Sequence, residues 1–189
     1  MNRFLATVFA CILITSPRAL GKPVPVESVR KDAGGLTLRM RTGLMRVRVC
    51  TDEIIHIVYT PGASIPKQVV PVVNRVWTPV QFTVSDGKKT VALKTRDLEV
   101  LVDRNSGAVG FYTANGTPIL QEPPDGGKTM TPANVAGEKT FHPEQVFLSP
   151  PGESFYGLGQ FPEGLMDWRG IPLRLQEVNT QIALPMLLS

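Results

Sequence analysis

Cysteine and histidine are rare in this sequence, with two residues of each among 189. Cys11 lies in an amino-terminal apolar segment, which leaves Cys50 alone in the remainder of the chain. We therefore expect Cys50 to be a buried free thiol outside any internal disulfide. Neither His56 nor His142 stands at metal-ligand spacing from a Cys, Asp or Glu pair. The sequence predicts no metal site and no cofactor.

The first 21 residues have the pattern of a secretory signal. A short basic start precedes the apolar run Phe4–Thr15, which is shorter than the roughly 20 residues needed to cross a bilayer. Ala19 and Gly21 place small residues at the −3 and −1 positions of a cleavage site. We expect a mature chain that starts at Lys22, is periplasmic or secreted, and has no membrane contact after cleavage. A buried amino-terminal helix and a lipoprotein modified at Cys11 remain alternatives.

Positive charge is low and dispersed once this segment is removed. Loss of Arg3 and Arg18 lowers the formal net charge from +4 to +2, and no Lys or Arg cluster indicates a nucleic-acid partner. Basic and apolar residues mostly alternate over residues 39–48 (RMRTGLMRVR). This spacing favours one solvent-facing side of a strand over an anion-binding stripe.

Short runs with a period of two are the main pattern of the chain, and no sustained helical stripe accompanies them. Such alternation, and short β-branched or aromatic runs, are typical of strands. The predicted strands cover residues 36–40, 45–49, 54–59, 81–84, 90–93, 98–102, 110–112 and 118–120, and residues 144–148 are one further possible strand.

Turn residues separate these runs. Asp86-Gly87, Asn105-Ser106-Gly107 and Asn115-Gly116 supply residues that adopt the positive φ angles of tight hairpins. Residues 61–79 and 121–139 are rich in proline and glycine and are predicted to be long loops. The pattern predicts an all-β fold, an antiparallel β-sandwich, after the signal.

The character of the chain changes near its carboxyl end. We assign residues 1–21 to the signal, 22–153 to the sandwich, and 154–189 to the end of the sandwich. Residues 154–160 (SFYGLGQ) combine aromatics with glycine, and residues 182–189 (IALPMLLS) are apolar and uncharged. A domain seldom stops on such a strand unless a partner layer follows, so we expect a truncated domain.

Four short motifs, in this order along the chain, resemble motifs of glycoside hydrolase family 31, which includes α-glucosidases and α-xylosidases. They are residues 156–160 (YGLGQ), residues 169–170 (RG), residues 176–182 (QEVNTQI), and Pro185 with Ser189. Residues 98–122 also look like the amino-terminal sandwich of that family. The resemblance implies a galactose-mutarotase-like β-sandwich followed by a (β/α)₈ barrel, with this sequence ending before the barrel.

The family resemblance also implies a reaction. Its members are retaining α-glycosidases in which two barrel aspartates act as nucleophile and acid/base. The carboxylates near the end of this chain, at positions 153, 163, 167 and 177, match neither motif. We therefore expect no catalytic residue here. Gly157, Gly159 and Gly170 are read as backbone geometry and not as a phosphate loop.

A loop of the family's sandwich helps to form outer sugar subsites, which implies substrate-binding roles for Gln176, Asn179, Thr180 and Trp168. Amide and hydroxyl groups bond to sugar hydroxyls, and an indole stacks on a pyranose face. Each residue also has a structural alternative. Asn179 and Thr180 are equally suited to a turn, and Trp168 to filling the seam between sandwich and barrel.

The favoured function is the amino-terminal, non-catalytic part of a secreted retaining α-glycosidase. Its expected partners are an α-linked oligosaccharide and the catalytic barrel of the same parent chain. The alternative is a free-standing carbohydrate-binding β-sandwich, which only two tryptophans in the chain support weakly. A sandwich that contacts protein alone is a third possibility.

Overall fold

The structure is a computed structural model that describes residues 22–65 and 76–189. The predicted signal peptide, with Cys11, and most of the predicted loop at 61–79 lie outside the described residues. Across the described ranges the chain forms thirteen β-strands and no helix. It divides into two compact units, one ending at Phe147 and the other starting at Leu148. This division falls a few residues before the predicted boundary at residue 153, and the domain limits stay a prediction.

Two antiparallel sheets make up most of the first unit, and in each sheet every strand pairs with the next along the chain. The first sheet contains β1 (Val26–Asp32), β2 (Gly35–Met40), β3 (Leu44–Val49) and β4 (Ile55–Thr60). The second contains β5 (Thr83–Asp86), β6 (Thr90–Lys94), β7 (Leu98–Asp103), β8 (Val109–Thr113) and β9 (Pro118–Gln121).

One hydrophobic core joins the inner faces of the two sheets. In β2, Leu36, Leu38 and Met40 are buried while Arg39 between them is exposed, as the period of two dictates. The second sheet contributes buried residues from β6, β7 and β8, namely Val91, Leu93, Val100, Val102 and Val109. Each such side chain contributes about 1.5–3 kcal/mol when fully buried. The sheets therefore form a β-sandwich, and the predicted fold class is confirmed.

The opposite face of the first sheet carries the alternating basic residues. Arg46 lies between the buried Met45 and Val47, and its guanidinium forms an ion pair with Asp32 at 2.9 Å. The prediction of a solvent-facing side is confirmed. Cys50 is buried and free, as expected.

The chain between β9 and residue 147 corrects the predicted loop at 121–139. It contains a two-stranded hairpin of β10 (Lys128–Val135) and β11 (Glu138–Gln145), so the possible strand at residues 144–148 starts earlier and ends at Gln145. Proline cannot donate to a ladder, and Pro132 lies within β10. Counted from the closing pair Val135↔Glu138, however, Pro132 falls on a non-hydrogen-bonded pair, where its missing N–H costs the ladder nothing.

β1 was also missed by the sequence pattern. Its sequence, VESVRKD, leaves most side chains at least partly exposed, because β1 is an edge strand that covers the core mainly through Val26. The predicted hairpin turns are present. Gly107 and Gly116 adopt φ of 71° and 87°, as predicted, whereas Gly87 does not adopt the positive φ that was predicted for it.

The second unit contains one antiparallel pair, β12 (Tyr156–Gln160) and β13 (Ile182–Leu188). Gly157 and Gly159 have φ of 94° and 119°. A Cβ at Gly157 would lie 2.6 Å from the carbonyl oxygen of Met186, and one at Gly159 would overlap the carbonyl oxygen of Ile182. The strands approach so closely that only glycine fits, which confirms the backbone role predicted for these two residues.

Candidate functional site

All four residues predicted to bind sugar lie in the second unit, within the segment that leads from β12 to β13. The structure divides them into one buried side chain and three exposed ones. Trp168 is only 7% exposed, while Gln176, Asn179 and Thr180 are exposed.

Trp168 is enclosed by aromatic and backbone contacts. Its ring meets Phe161 edge to face, with centroids 5.4 Å apart and planes at 77°, a favoured geometry for an aromatic pair. Its backbone N–H donates to the carbonyl of Phe155 at 2.8 Å, and its carbonyl accepts from Ile171 at 3.0 Å. This burial favours the packing role of Trp168 over a sugar-stacking role.

Asp167 and Arg169, on either side of Trp168, fasten the segment. Asp167 Oδ1 accepts from the backbone N–H groups of Phe155 and Arg169, each at 2.9 Å. Arg169 donates to Ser149 Oγ at 3.0 Å and to the Glu153 carbonyl. The segment is thus tied to the residues that precede β12.

The hydrogen bonds to Asp167 also determine its electrostatics. Those from Phe155, Arg169 and Ser154, in that order, hold the pKa of the Asp167 carboxyl below its usual value, because they stabilise the charged form. A general acid needs its pKa raised toward the working pH. The environment of Asp167 does the opposite and describes a structural acceptor.

Asn179 and Thr180 form the tip of a tight turn. Val178 and Gln181 on either side form an isolated antiparallel bridge, with the Gln181 N–H donating to the Val178 carbonyl at 3.0 Å. The bridge holds the exposed amide and hydroxyl together at the tip. Such an arrangement can donate to and accept from the hydroxyl groups of a sugar.

Residues 22–65 and 76–189 contain no group of three His, Cys, Asp or Glu side chains arranged to hold a metal ion. In those residues, no helix has the length and apolarity to cross a membrane.

Comparison with known proteins identifies the family. The profile of the glycosyl hydrolase 31 N-terminal galactose mutarotase-like domain matches residues 44–181, most of the chain. The chain belongs to this family. The resemblance seen in the short motifs is confirmed, and the galactose-mutarotase-like domain agrees with the all-β sandwich.

Solved structures of glycoside hydrolase family 31 (GH31) enzymes contain a similar domain. The GH31 α-xylosidase from Xanthomonas citri is 34% identical over 85% of this chain and 18% of its own, with a TM-score of 0.74. A GH31 α-xylosidase from a soil metagenome, solved with xylose, covers 86% of this chain and 26% of its own at 16% identity and a TM-score of 0.73. This chain therefore spans about a fifth to a quarter of the length of these enzymes.

A GH31 dextranase from Flavobacterium johnsoniae, solved in a mutant form with isomaltotriose, shares the fold at 15% identity and a TM-score of 0.64. The match covers 79% of this chain and 18% of the dextranase. The fold of this GH31 domain is therefore common to enzymes described by different substrates, so it does not by itself define a sugar specificity.

Proposed function

We propose that this chain is the amino-terminal, non-catalytic sandwich of a retaining α-glycosidase that hydrolyses α-linked oligosaccharides. The observation that carries the proposal is the match of residues 44–181 to the GH31 amino-terminal domain, supported by 34% identity to an α-xylosidase. Retaining hydrolysis needs a nucleophile and an acid/base with carboxyl groups about 5–5.5 Å apart. In the proposal both belong to a catalytic barrel, and this chain supplies neither.

The barrel is also the proposed partner of the second unit. Five apolar residues of β13 are each more than half exposed, namely Ile182, Leu184, Met186, Leu187 and Leu188. Contiguous apolar surface of this kind is characteristic of a protein interface. Packing of a barrel against β13 would remove these side chains from water.

The exposed turn is the proposed contribution to outer sugar subsites. Asn179, Thr180 and the nearby Gln176 present amide and hydroxyl groups, which match the hydrogen-bonding capacity of sugar hydroxyls. Trp168 is buried, so the proposal rests on the three exposed residues. Asp167 and Arg169 contribute indirectly by fastening the segment on which they lie.

A chimeric enzyme tests both parts of the proposal. Residues 44–181 of this chain replace the matching segment of the Xanthomonas citri α-xylosidase, and hydrolysis of α-xylosyl fluoride and of a xylose-containing oligosaccharide is measured. We expect a folded, active chimera. Replacement of Asn179 and Thr180 by alanine should raise KM for the oligosaccharide about tenfold, the loss of roughly one hydrogen bond. The fluoride has too small a leaving group to reach outer subsites, so its kinetics should stay unchanged.

Thr131→Ala in the chimera is the matched control, because Thr131 is an exposed polar residue of the first unit. A folded but inactive chimera would contradict the proposed packing of this sandwich on a catalytic barrel, and an unchanged KM in the double variant would contradict the subsite role. If the isolated chain instead binds oligosaccharides tightly without a barrel, the free-standing binding module becomes the better description.

The proposed location is the periplasm or the exterior of the cell, on the basis of the signal-like residues 1–21. Expression of the full chain followed by amino-terminal sequencing provides the check. Processing before Lys22 supports export, and an intact Met1 in the soluble cell fraction contradicts it.

A further inference from the structure

The hairpin of β10 and β11 extends from the sandwich with little of its surface covered. Its register runs without a shift from Lys128↔Gln145 to Val135↔Glu138, and every residue of β11 is exposed. None of its residues belongs to the buried core cluster of the sandwich. A two-stranded hairpin is at best marginally stable by itself in water, so its attachment at the base determines its position.

A buried carboxylate is the centre of that attachment. The side chain of Glu122 is 3% exposed, and its two oxygens accept hydrogen bonds from both strands of the hairpin. Lys128 Nζ, at the start of β10, donates to both oxygens, to Oε1 at 2.7 Å and also to Oε2. Gln145 Nε2, at the end of β11, donates to Oε1 at 2.9 Å.

The other oxygen of Glu122 is bonded to the sandwich and to the turn before the hairpin. Oε2 accepts from Val109 N at 3.0 Å and from Gly127 N at 3.3 Å. Lys128 Nζ also donates to the Gly107 carbonyl at 3.2 Å. Val109 starts β8 and Gly107 lies in the turn before it, so the pair connects the hairpin to the second sheet.

The Glu122 carboxylate and the Lys128 ammonium each stabilise the charged form of the other. Desolvation lowers the pKa of Lys128, and the Glu122 carboxylate opposes that effect. Removing one partner of a buried pair leaves the other as an uncompensated charge, which is strongly destabilising. In this case the unpaired Lys128 can regain water if the hairpin swings away from the sandwich, because the apolar core does not include the hairpin.

We propose that the Glu122–Lys128 pair is a latch that fixes the orientation of the β10–β11 hairpin, and that breaking it releases the hairpin as a unit while the sandwich stays folded. The geometry separates this from an ordinary stabilising contact, since both strands end on the same carboxylate while the core lies elsewhere.

Hydrogen exchange of the full chain tests the latch. We expect Glu122→Gln to speed amide exchange across β10 and β11 roughly 100-fold, since hydrogen bonds to charged groups are worth more than neutral ones. Amides of β6 and β7 should change less than threefold. Glu144→Gln is the matched control, because Glu144 lies in β11, is exposed, and accepts a hydrogen bond from Thr129 Oγ1 across the hairpin. It should leave exchange within threefold of the unmodified chain.

Lys128→Met provides a second way to break the pair while keeping an apolar side chain of similar length. It should also release the hairpin without exposing β6 and β7. Unchanged exchange in the hairpin of both variants would overturn the latch. Equal acceleration in hairpin and core, or unfolding of the whole sandwich by both substitutions, would overturn it as well, because the pair would then be part of the global fold.

Discussion

β2 and β13 both carry several large apolar residues, but the surroundings of the two strands differ widely. In β2 the inward residues are covered by the second sheet, and Leu38 is 0% exposed. In β13 the apolar residues lie at the surface of the second unit, and Leu184 is 53% exposed. Apolar residues in a strand stabilise a fold only in proportion to the area that another layer removes from water. The first unit thus contains its own partner layer, whereas the second presents a face that suits one.

The largest expected difference between these regions comes from shortening their leucines. Leu38→Ala should lower the free energy of unfolding by about 2–5 kcal/mol, because it removes buried methyl groups and leaves a cavity. Leu184→Ala makes the same chemical change on an exposed strand and should cost less than about 0.5 kcal/mol. Urea denaturation of the two variants measures both values. Equal losses would show that β13 is buried in the protein in solution.

Much of the sandwich could be predicted because its information is local. Polar and apolar residues alternate in β2, β3 and β7, and Asn-Gly and Ser-Gly turns follow nearby strands. These local patterns predict strands without knowledge of the tertiary structure. β1 and β10 were missed for tertiary reasons: β1 exposes most of its residues at a sheet edge, and β10 tolerates Pro132 at a non-hydrogen-bonded pair.

The candidate site and the surroundings of Glu122 likewise depend on tertiary structure that local sequence does not describe. The short motifs located the segment containing Asn179 and Thr180, but the enclosure of Trp168 depends on Phe155 and Phe161, which the fold of the second unit brings together. The environment of Glu122 depends on donors from four separate positions, so no local pattern describes it.

Gly107 and Gly116 have similar positive φ angles, but Gly107 lies in a crowded turn and Gly116 in an open one. A Cβ at Gly107 would lie 2.5 Å from the Val24 carbonyl oxygen and 2.6 Å from Met40 Cε, whereas a Cβ at Gly116 would meet nothing within 4 Å. Gly116→Ala should cost about 1–2 kcal/mol, the usual cost of a left-handed residue. Gly107→Ala adds the steric clash and should cost clearly more. Thermal unfolding of both variants measures the difference, and equal losses would show that the backbone around Gly107 yields easily.

The turn of the hairpin offers a smaller, stabilising change. Ala136 has φ of 52° and the following Gly137 has φ of 89°, as in the two-residue turns that favour Asn-Gly. Ala136→Asn should stabilise the hairpin by roughly 0.5–1 kcal/mol, because asparagine tolerates this region better than alanine. Slower exchange of β10 and β11 amides would be the readout, with Ala133→Asn in mid-strand as the control that should give no such gain.

The smallest expected effect is a change in Trp168 fluorescence at acid pH, which should depend on a carboxylate of the second unit and not on one of the first. Because the pKa of folded Asp167 is lowered, chiefly by the Phe155 and Arg169 N–H groups, its contribution is present above the ordinary aspartate pKa of about 3.9. That contribution is lost as pH falls through the folded pKa. In a Trp77→Phe background, the emission of the adjacent Trp168 should therefore shift to longer wavelength only as pH drops below about 4. Asp167→Asn should flatten this step, since the amide does not titrate.

Asp97 provides the control. It also has a lowered pKa, through its hydrogen bond with Arg96 in the first unit, so Asp97→Asn should leave the step in place. A step that persists in Asp167→Asn would place the acid sensitivity of Trp168 in another carboxylate and remove Asp167 as the fastener of this segment.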